Sequence, residues 1–473
     1  MKGMTIARMA QVCEARIGGK NDAANPTLLE TEATGIVTDS RKLKPGDVFV
    51  ALVGERVDGH NYIAQVFENG ACAVICEREP EQAQGICLIV KSAQKALAQL
   101  ATLYLDELGI PVVGITGSVG KTSTKEMIAS VLAQKYRVHK TAGNFNNEIG
   151  LPLTVFDLKD EHEIAVLEMG ISDFGEMSRL AAIARPDVSV ITNIGICHLE
   201  NLGTRDGILK AKTEVFEYIK KDATVVLNGD DDKLCTVQSV DGKKPVFYGI
   251  GEMKPTGASY DAKAIYASDV DNRGLRGIDF SLHLPQGVYR VHVSIPGEHN
   301  IYNAMAAAAV GLALSLTPEQ ICAGIEQART IGGRTNLIEK EDYLVIDDCY
   351  NANPVSMKAA IDVLLQGEQR TIAVLGDMGE LGADEKQLHY EVGQYVAEKG
   401  IDCLFAAGAL AQEMVRAVEE YPENHTYCEY FGANADLKEM SERLREFLKP
   451  GDTILVKASH FMNYPEIVKQ LTE

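Results

Sequence analysis

No Cys-x-x-Cys pair occurs among the ten cysteines, which are scattered from Cys13 to Cys428, so neither zinc ligation nor a disulfide framework is read from them. The closest two, Cys72 and Cys76, have apolar neighbours and read as small buried hydrophobes. No apolar run approaches the roughly 18 residues of a membrane span, and the N-terminal stretch MKGMTIARMAQVCEARIGG lacks a signal peptide's continuous apolar segment. A cytoplasmic address without membrane insertion is expected. Positive charge is scarce as well: 46 Lys and Arg stand against 67 Asp and Glu, a formal net charge of −21. So acidic a surface repels phosphate backbones and argues against general nucleic-acid or anionic-membrane binding. An anionic substrate must therefore find a locally positive pocket. Internal repeats, low-complexity tracts and a basic tail are absent too.

What is present is a globular composition, 46% hydrophobic and 24% charged, in 473 residues. At about 150 residues per domain that length suggests three domains. Short apolar runs such as Val48 to Val53 and Ala73 to Cys76, followed by a helical stretch to Leu108, predict a small N-terminal α/β domain over 1–107. Buried-type strands at 112–115, 164–167, 188–192 and 224–227 alternate with helical patterns, among them 121–136, and predict a central doubly wound, mostly parallel sheet over 108–330. Between Lys254 and Val293 the alternation in Ile278 to Leu284 predicts an antiparallel excursion, and the Ala-rich stretch 303–316 returns to helix. The βα rhythm restarts at 344–346, 371–375, 403–405 and 453–456, predicting a Rossmann-like domain over 331–473. The fold class expected is α/β with three domains.

The sharpest local signal is GITGSVGKTS, Gly114 to Ser123, where a strand turns into a helix. Gly117, Ser118 and Gly120 let the backbone approach a phosphate, the helix N-terminal N–H groups face it, Lys121 adds charge, and the Thr122 hydroxyl, next to Ser123, suits Mg²⁺. The usual P-loop glycine six residues before the lysine is replaced by Ile115, and glycines fall at 114, 117 and 120. The plainer reading is a glycine-rich connection with a capping threonine. Glu168 ends an apolar strand, where a P-loop fold places a metal-binding carboxylate, or else it is a solvated strand-end glutamate. His198 likewise follows a strand and by itself is as well read as structural. Lys212, by itself, reads as one more solvated helix lysine, and the amide-rich Thr141 to Asn147 reads as a phosphate or sugar grip or as a turn.

Together these segments resemble the Mur ligase family, the ATP-dependent amino-acid-adding enzymes of peptidoglycan precursor synthesis, over nearly the whole chain. The residues that carry the resemblance are Thr38 to Arg41 with Gly59-His60, the P-loop, Gly143 to Asn147, Glu168 to Gly170, His198 to Glu200 with Ala211-Lys212, Gly297 to Asn300, Gly333-Arg334, Asp347 to Pro354 and Leu375 to Gly382. The last two point to the branch that adds D-Ala-D-Ala to a UDP-MurNAc-tripeptide.

The resemblance implies a UDP-sugar-binding N-terminal domain, a central ATP domain, and a C-terminal domain that helps to hold nucleotide and incoming amine. Asp39, Ser40 and Arg41 would serve the uridine nucleotide. Lys121 and Thr122 would hold ATP phosphates and Mg²⁺, with two metal sites: Glu168 at the first, His198 and carbamoylated Lys212 at the second. Asn300 and Asn303 would lie near adenine, Arg334 near the phosphates and Asp348 at the ribose. Thr141, Asn144, Asn146, Asn147, Tyr350, Asn351 and Asn353 would contact substrate. A monomer is expected. Two departures stand out: Lys457-Ala-Ser-His460 replaces the common Lys-Gly-Ser-Arg, so no role is carried over to His460, and Cys349 stands where serine is usual. The sibling that adds the third amino acid would carry an Asp-Asn-Pro-Arg-type motif, which is missing. Folylpolyglutamate synthetase matches less well through Asn144 to Asn147 and Tyr350 to Pro354, and a P-loop switch protein would leave the Asn-rich loop and third domain without a purpose.

Overall fold

The computed structural model describes residues 1–19, 26–54, 56–80, 85–252, 263–422 and 424–473. Three sheets follow one another along the chain, each flanked by helices. The first has five strands, in spatial order Arg16–Gly18, Ile86–Ile89, Ala73–Cys76, Val48–Val50 and Ile36–Val37, with only the Arg16–Gly18 edge antiparallel. Helix Ala93–Leu108 covers it, held at its start by the Ser92 cap. The same helix packs on the central domain, so one apolar core runs through both, and Tyr104 Oη donates to Leu158 O at 3.0 Å.

The central sheet has nine strands. From one edge these are Gly287–Val293, Ile278–Leu284, Ile265–Asn272, Val246–Ile250, Thr224–Asn228, Val188–Ile191, Val112–Thr116, Ile164–Glu168 and Val138–Lys140. Successive strands from Ile265–Asn272 to the Val138–Lys140 edge pair in parallel, and the two at the other edge are antiparallel, which is the predicted excursion. The first part of that stretch, 253–262, lies outside the described residues. Strand Val112–Thr116 is buried throughout, as continuous apolar runs in parallel sheets are. The chain leaves it between two parallel strands that flank it on opposite sides, Ile164–Glu168 and Val188–Ile191. Open α/β sheets bind ligands at such a point, beyond the carboxyl ends of the strands.

Small side chains bring the Ala-rich helix His299–Ala313 and helix Pro318–Gln327 close against helix Lys121–Leu132: a Cβ added to Gly324 would lie 2.4 Å from Val131 Cα. The helix predicted over 121–136 ends at Leu132, and residues 133–136 continue as hydrogen-bonded turns. The Ala-rich helix starts earlier than predicted and ends at Ala313. The third sheet, in order Asn336–Glu339, Tyr343–Asp347, Asp452–Lys457, Thr371–Gly376, Cys403–Ala407 and Tyr427–Tyr430, is parallel except at its first pair, and apolar cores cover both faces. Among the described residues no helix is long and apolar enough to cross a membrane.

Candidate active site

The P-loop owes its shape to the strand beside it. Gly117 has φ 150, and a Cβ there would sit 1.9 Å from Thr192 Oγ1. Gly120, at φ 78, turns the chain into helix Lys121–Leu132. Between them Asn193 grips Val119 on both sides, accepting from its N–H and donating to its carbonyl, each at 3.0 Å. Thr192 Oγ1 donates to the same carbonyl at 2.7 Å, and Ser118 Oγ donates to Gly195 O at 3.0 Å. Lys121 folds its ammonium back onto the carbonyls of Gly117 and Ser118, at 2.8 and 3.3 Å. Desolvation there lowers its pKa, against the opposing pull of the Glu168 carboxylate.

Glu168 is 2% exposed, so it is not a solvated strand end. Thr122 Oγ1 donates to its Oε2 and Asn146 Nδ2 to its Oε1, both at 2.9 Å, while Lys125 Nζ lies 3.7 Å from Oε2. Thr141 secures this group from behind: its hydroxyl accepts from Glu168 N at 2.9 Å and its carbonyl accepts from Lys125 at 2.5 Å. Thr122, Thr141, Asn146 and Glu168 therefore converge. Asn144 and Asn147 do not join them. Asn144 is exposed, and the Asn147 side chain accepts from the N–H groups of Ile149 and Gly150, fixing the start of the next helix.

Lys212 is not a solvated helix lysine either. It is 1% exposed and shares a buried face with Ile208 and Ala211. Burial, reinforced by Lys121, pulls its pKa down to about 7, with only the Cys197 thiol acting the other way. His198 has φ 50, and its Nδ1 lies 2.9 Å from Glu380 Oε2, which brings the Leu375 to Gly382 segment of the third domain to the central one. The His198 hydrogen bond lowers the Glu380 pKa.

Asn300 and Asn303 form a chain to the P-loop helix: Thr124 Oγ1 donates to Asn303 Oδ1 at 2.7 Å, and Asn303 Nδ2 to Asn300 Oδ1 at 2.8 Å. Beside them a crevice is lined by Ser123, His299, Asn300, Thr330, Arg334 and Thr335. The Arg334 guanidinium lies 4.0 Å over the Tyr350 ring, and its buried Nε has no hydrogen-bond partner among the described residues. Asp348 accepts from Thr335 N at 2.9 Å and from Lys457 Nζ at 2.6 Å, and Lys457 also donates to Asn351 O at 3.0 Å. Cys349 Sγ donates to Asp347, whose other oxygen accepts from Gly333 N at 2.7 Å, so the cysteine helps to seat the Arg334 turn. Asn353 caps helix Pro354–Leu364 in a reciprocal box with Ser356. The His460 ring stands edge-on to Tyr350, 6.1 Å between centroids.

Asp39, Ser40 and Arg41 belong to the first domain and, among the described residues, do not join these groups; Asp39 caps the short turn Ser40–Lys42 and pairs with the Arg41 guanidinium, which holds the carboxyl down at about 2. Lys125 and Asn193 were not singled out in the sequence, and Glu380 and Lys457, though within quoted motifs, were given no role there. Lys125 was detectable: it sits one helical turn after Lys121 and three residues before Ile128, on the apolar stripe.

The sequence matches the Mur ligase middle domain over residues 115–311, the Mur ligase glutamate ligase domain over 333–460, and the Mur ligase family catalytic domain over 32–122. It is 40% identical to the UDP-N-acetylmuramoyl-tripeptide--D-alanyl-D-alanine ligase of Bacillus subtilis, covering 96% of each chain. The crystal structure of MurF from Acinetobacter baumannii superposes with a TM-score of 0.87 at 33% identity, over 99% of this chain and 98% of that one. MurF of Thermotoga maritima in complex with ADP superposes with a TM-score of 0.80 at 30% identity, over 93% and 97%. With three domain matches in order and relatives similar from end to end, the chain belongs to the Mur ligase family.

Proposed function

We propose that this protein joins D-Ala-D-Ala to UDP-N-acetylmuramoyl-tripeptide at the expense of ATP, giving the pentapeptide precursor of peptidoglycan, ADP and phosphate. The observation that carries the reading is a P-loop, a dry carboxylate and a buried lysine of lowered pKa gathered at one end of the central sheet, in a chain so similar to ligases of that name. Residues 1–107 serve the UDP-sugar, 108–330 ATP, and 331–473 the amine and part of the nucleotide.

A carboxylate is a poor electrophile, so the γ-phosphoryl group is first transferred to it, forming an acyl phosphate and releasing ADP. The amine of D-Ala-D-Ala then attacks the acyl carbon and phosphate leaves. Lys121 swings from its loop carbonyls to the β- and γ-phosphates, and Arg334, held flat on Tyr350, neutralises charge from the third domain. Asn300 and Asn303 border the adenine, and Asp348, fixed by Lys457, accepts from the ribose.

The donor set fits Mg²⁺, which prefers oxygen. Thr122 and Glu168 stand side by side and would hold the first ion. Lys212 supplies an amine that titrates near neutrality and can take up CO₂ as a carbamate, giving with His198 the ligands of a second. Two bound Mg²⁺ ions would offset the negative charge of triphosphate and carboxylate. His198 can serve there through Nε2 while its Nδ1 keeps the Glu380 carboxylate, the carboxylate–histidine arrangement that orients metal ligands.

Purified protein with ATP, Mg²⁺, UDP-MurNAc-tripeptide and D-Ala-D-Ala should release phosphate only when every component is present. Phosphate release indifferent to D-Ala-D-Ala sinks the assignment. A narrower expectation concerns the platform under Arg334. A cation–π contact contributes about 1 kcal/mol, so Tyr350→Leu should raise KM for ATP roughly fivefold; an unchanged KM would show that Arg334 does not depend on the ring.

A further inference from the structure

The segment leaving strand Val188–Ile191 is held from two sides. On one, Thr192, Asn193 and Gly195 support the P-loop. On the other, the fully buried Ile194 has both backbone polar groups taken by side chains from elsewhere in the chain. Its N–H donates to Asp231 Oδ2 at 2.7 Å, and its carbonyl accepts from Arg205 Nε at 2.8 Å. A buried peptide unit outside a sheet ladder needs such partners, but these two also tie together the elements of the proposed second ion site. Asp231 is anchored in the turn after strand Thr224–Asn228, its Oδ1 accepting from Lys233 N and Leu234 N at 2.9 Å each. Arg205 opens helix Arg205–Thr213, the helix that buries Lys212, and Asp232 Oδ2 holds its guanidinium from behind at 2.9 Å. Four residues beyond Ile194 comes His198, whose left-handed φ of 50 costs energy and persists only where the surroundings fix it.

We propose that Asp231 and Arg205 are positioning residues: by clamping the two sides of the Ile194 peptide they set the His198 segment against the Lys212 helix, so that both side chains address one divalent ion. Lys212 and His198 are far from rigid by nature, one a long flexible stem and the other on a loop, and ion sites need their ligands placed to within about 0.5 Å. The clamp supplies that placement from outside the ligand set. The proposal rests on the two-ion reading above.

Mn²⁺ titrated into the full chain with a non-hydrolysable ATP analogue, and counted by electron paramagnetic resonance, tests it without turnover. Wild-type protein should bind two ions. In Asp231→Asn one carbonyl oxygen cannot serve both Ile194 and the Lys233 turn, and an amide N–H₂ must face an N–H. In Arg205→Lys the charge survives but the Nε donor is lost. Each should weaken the second ion by about 10- to 100-fold, the range for losing an outer-shell partner, and leave the first ion and the analogue unaffected. Should Asp231→Asn not fold, Asp232→Asn, which only loosens Arg205 from behind, should give a smaller shift in the same direction. Unchanged second-ion affinity in folded variants overturns the clamp alone. Equal weakening of both ions and the analogue overturns it too, since that is general damage. A single ion on the wild type overturns the two-ion reading and the clamp with it.

Discussion

Lys212→Met should inactivate the enzyme and at the same time make it more stable. The two effects have one cause. An unfolded chain keeps this lysine protonated at neutral pH, whereas the folded protein buries it and lowers its pKa from 10.5 to about 7. A depressed lysine pKa makes folding cost most below the folded value. At about 1.4 kcal/mol per pH unit, the penalty at pH 7 is about 4 kcal/mol. It declines as pH rises from 7 to 10.5 and vanishes above that range. Denaturant unfolding of the two proteins in CO₂-free buffer should therefore diverge at pH 7 and converge towards pH 10.5, and equal stability at pH 7 would contradict the burial.

Activity should fall by more than about 100-fold, because even an outer-shell partner of a metal is worth 10- to 100-fold and Lys212 is proposed as a ligand. Two further results separate a carbamate from a structural lysine. A short carboxylate added to Lys212→Ala should restore part of the lost turnover, by placing an oxygen where the carbamate stood. Labelled bicarbonate should give the wild-type protein a carbamate carbon resonance that Lys212→Ala lacks. Inactivity with neither rescue nor resonance returns the residue to a packing role.

The parts of this site that could be read in the sequence are those whose chemistry is local. Glycines 117 and 120 with Lys121 and Thr122 form one turn of chain, so their spacing alone carries the phosphate-binding geometry. Glu168 and the parallel strands were legible for the same reason, as apolar runs ending in an ionisable group. What stayed hidden depends on contacts across the fold. Asn193 meets Val119 over 74 residues and Lys457 meets Asp348 over 109, and neither separation leaves a pattern. The short edge strand Val138–Lys140 carries no apolar run and escaped as well. Lys212 is an intermediate case. It falls four residues after Ile208, one helical turn on, and beside Ala211, so its burial was written in the helical period, yet a lone lysine on a short amphipathic helix is ordinarily solvated.

Glu168→Gln should destabilise the ligand-free protein by about 3 kcal/mol, besides abolishing turnover. The carboxylate is 2% exposed and faces the equally dry Lys125 ammonium at 3.7 Å. Removing one charge of a buried pair strands the other, which costs about 3 to 5 kcal/mol. The low end applies because Glu126 Oε1 remains 3.3 Å from Lys125. The amide keeps one oxygen where the carboxylate had two, so either Asn146 on one side or Thr122 and Lys125 on the other lose their acceptor. Lys125→Met in the same background should restore most of the loss, because an unbranched apolar side chain follows the lysine stem without needing a counter-charge. A double-mutant cycle from denaturant unfolding measures the coupling. A solvated strand-end glutamate would shift stability by less than about 0.5 kcal/mol and show no coupling to Lys125. The double variant should fold yet remain inactive, because the Glu168 charge that meets Thr122 and Lys125 is also the one proposed to receive the first ion. Lys125 thus balances the Glu168 charge, a part that a bound cation would share.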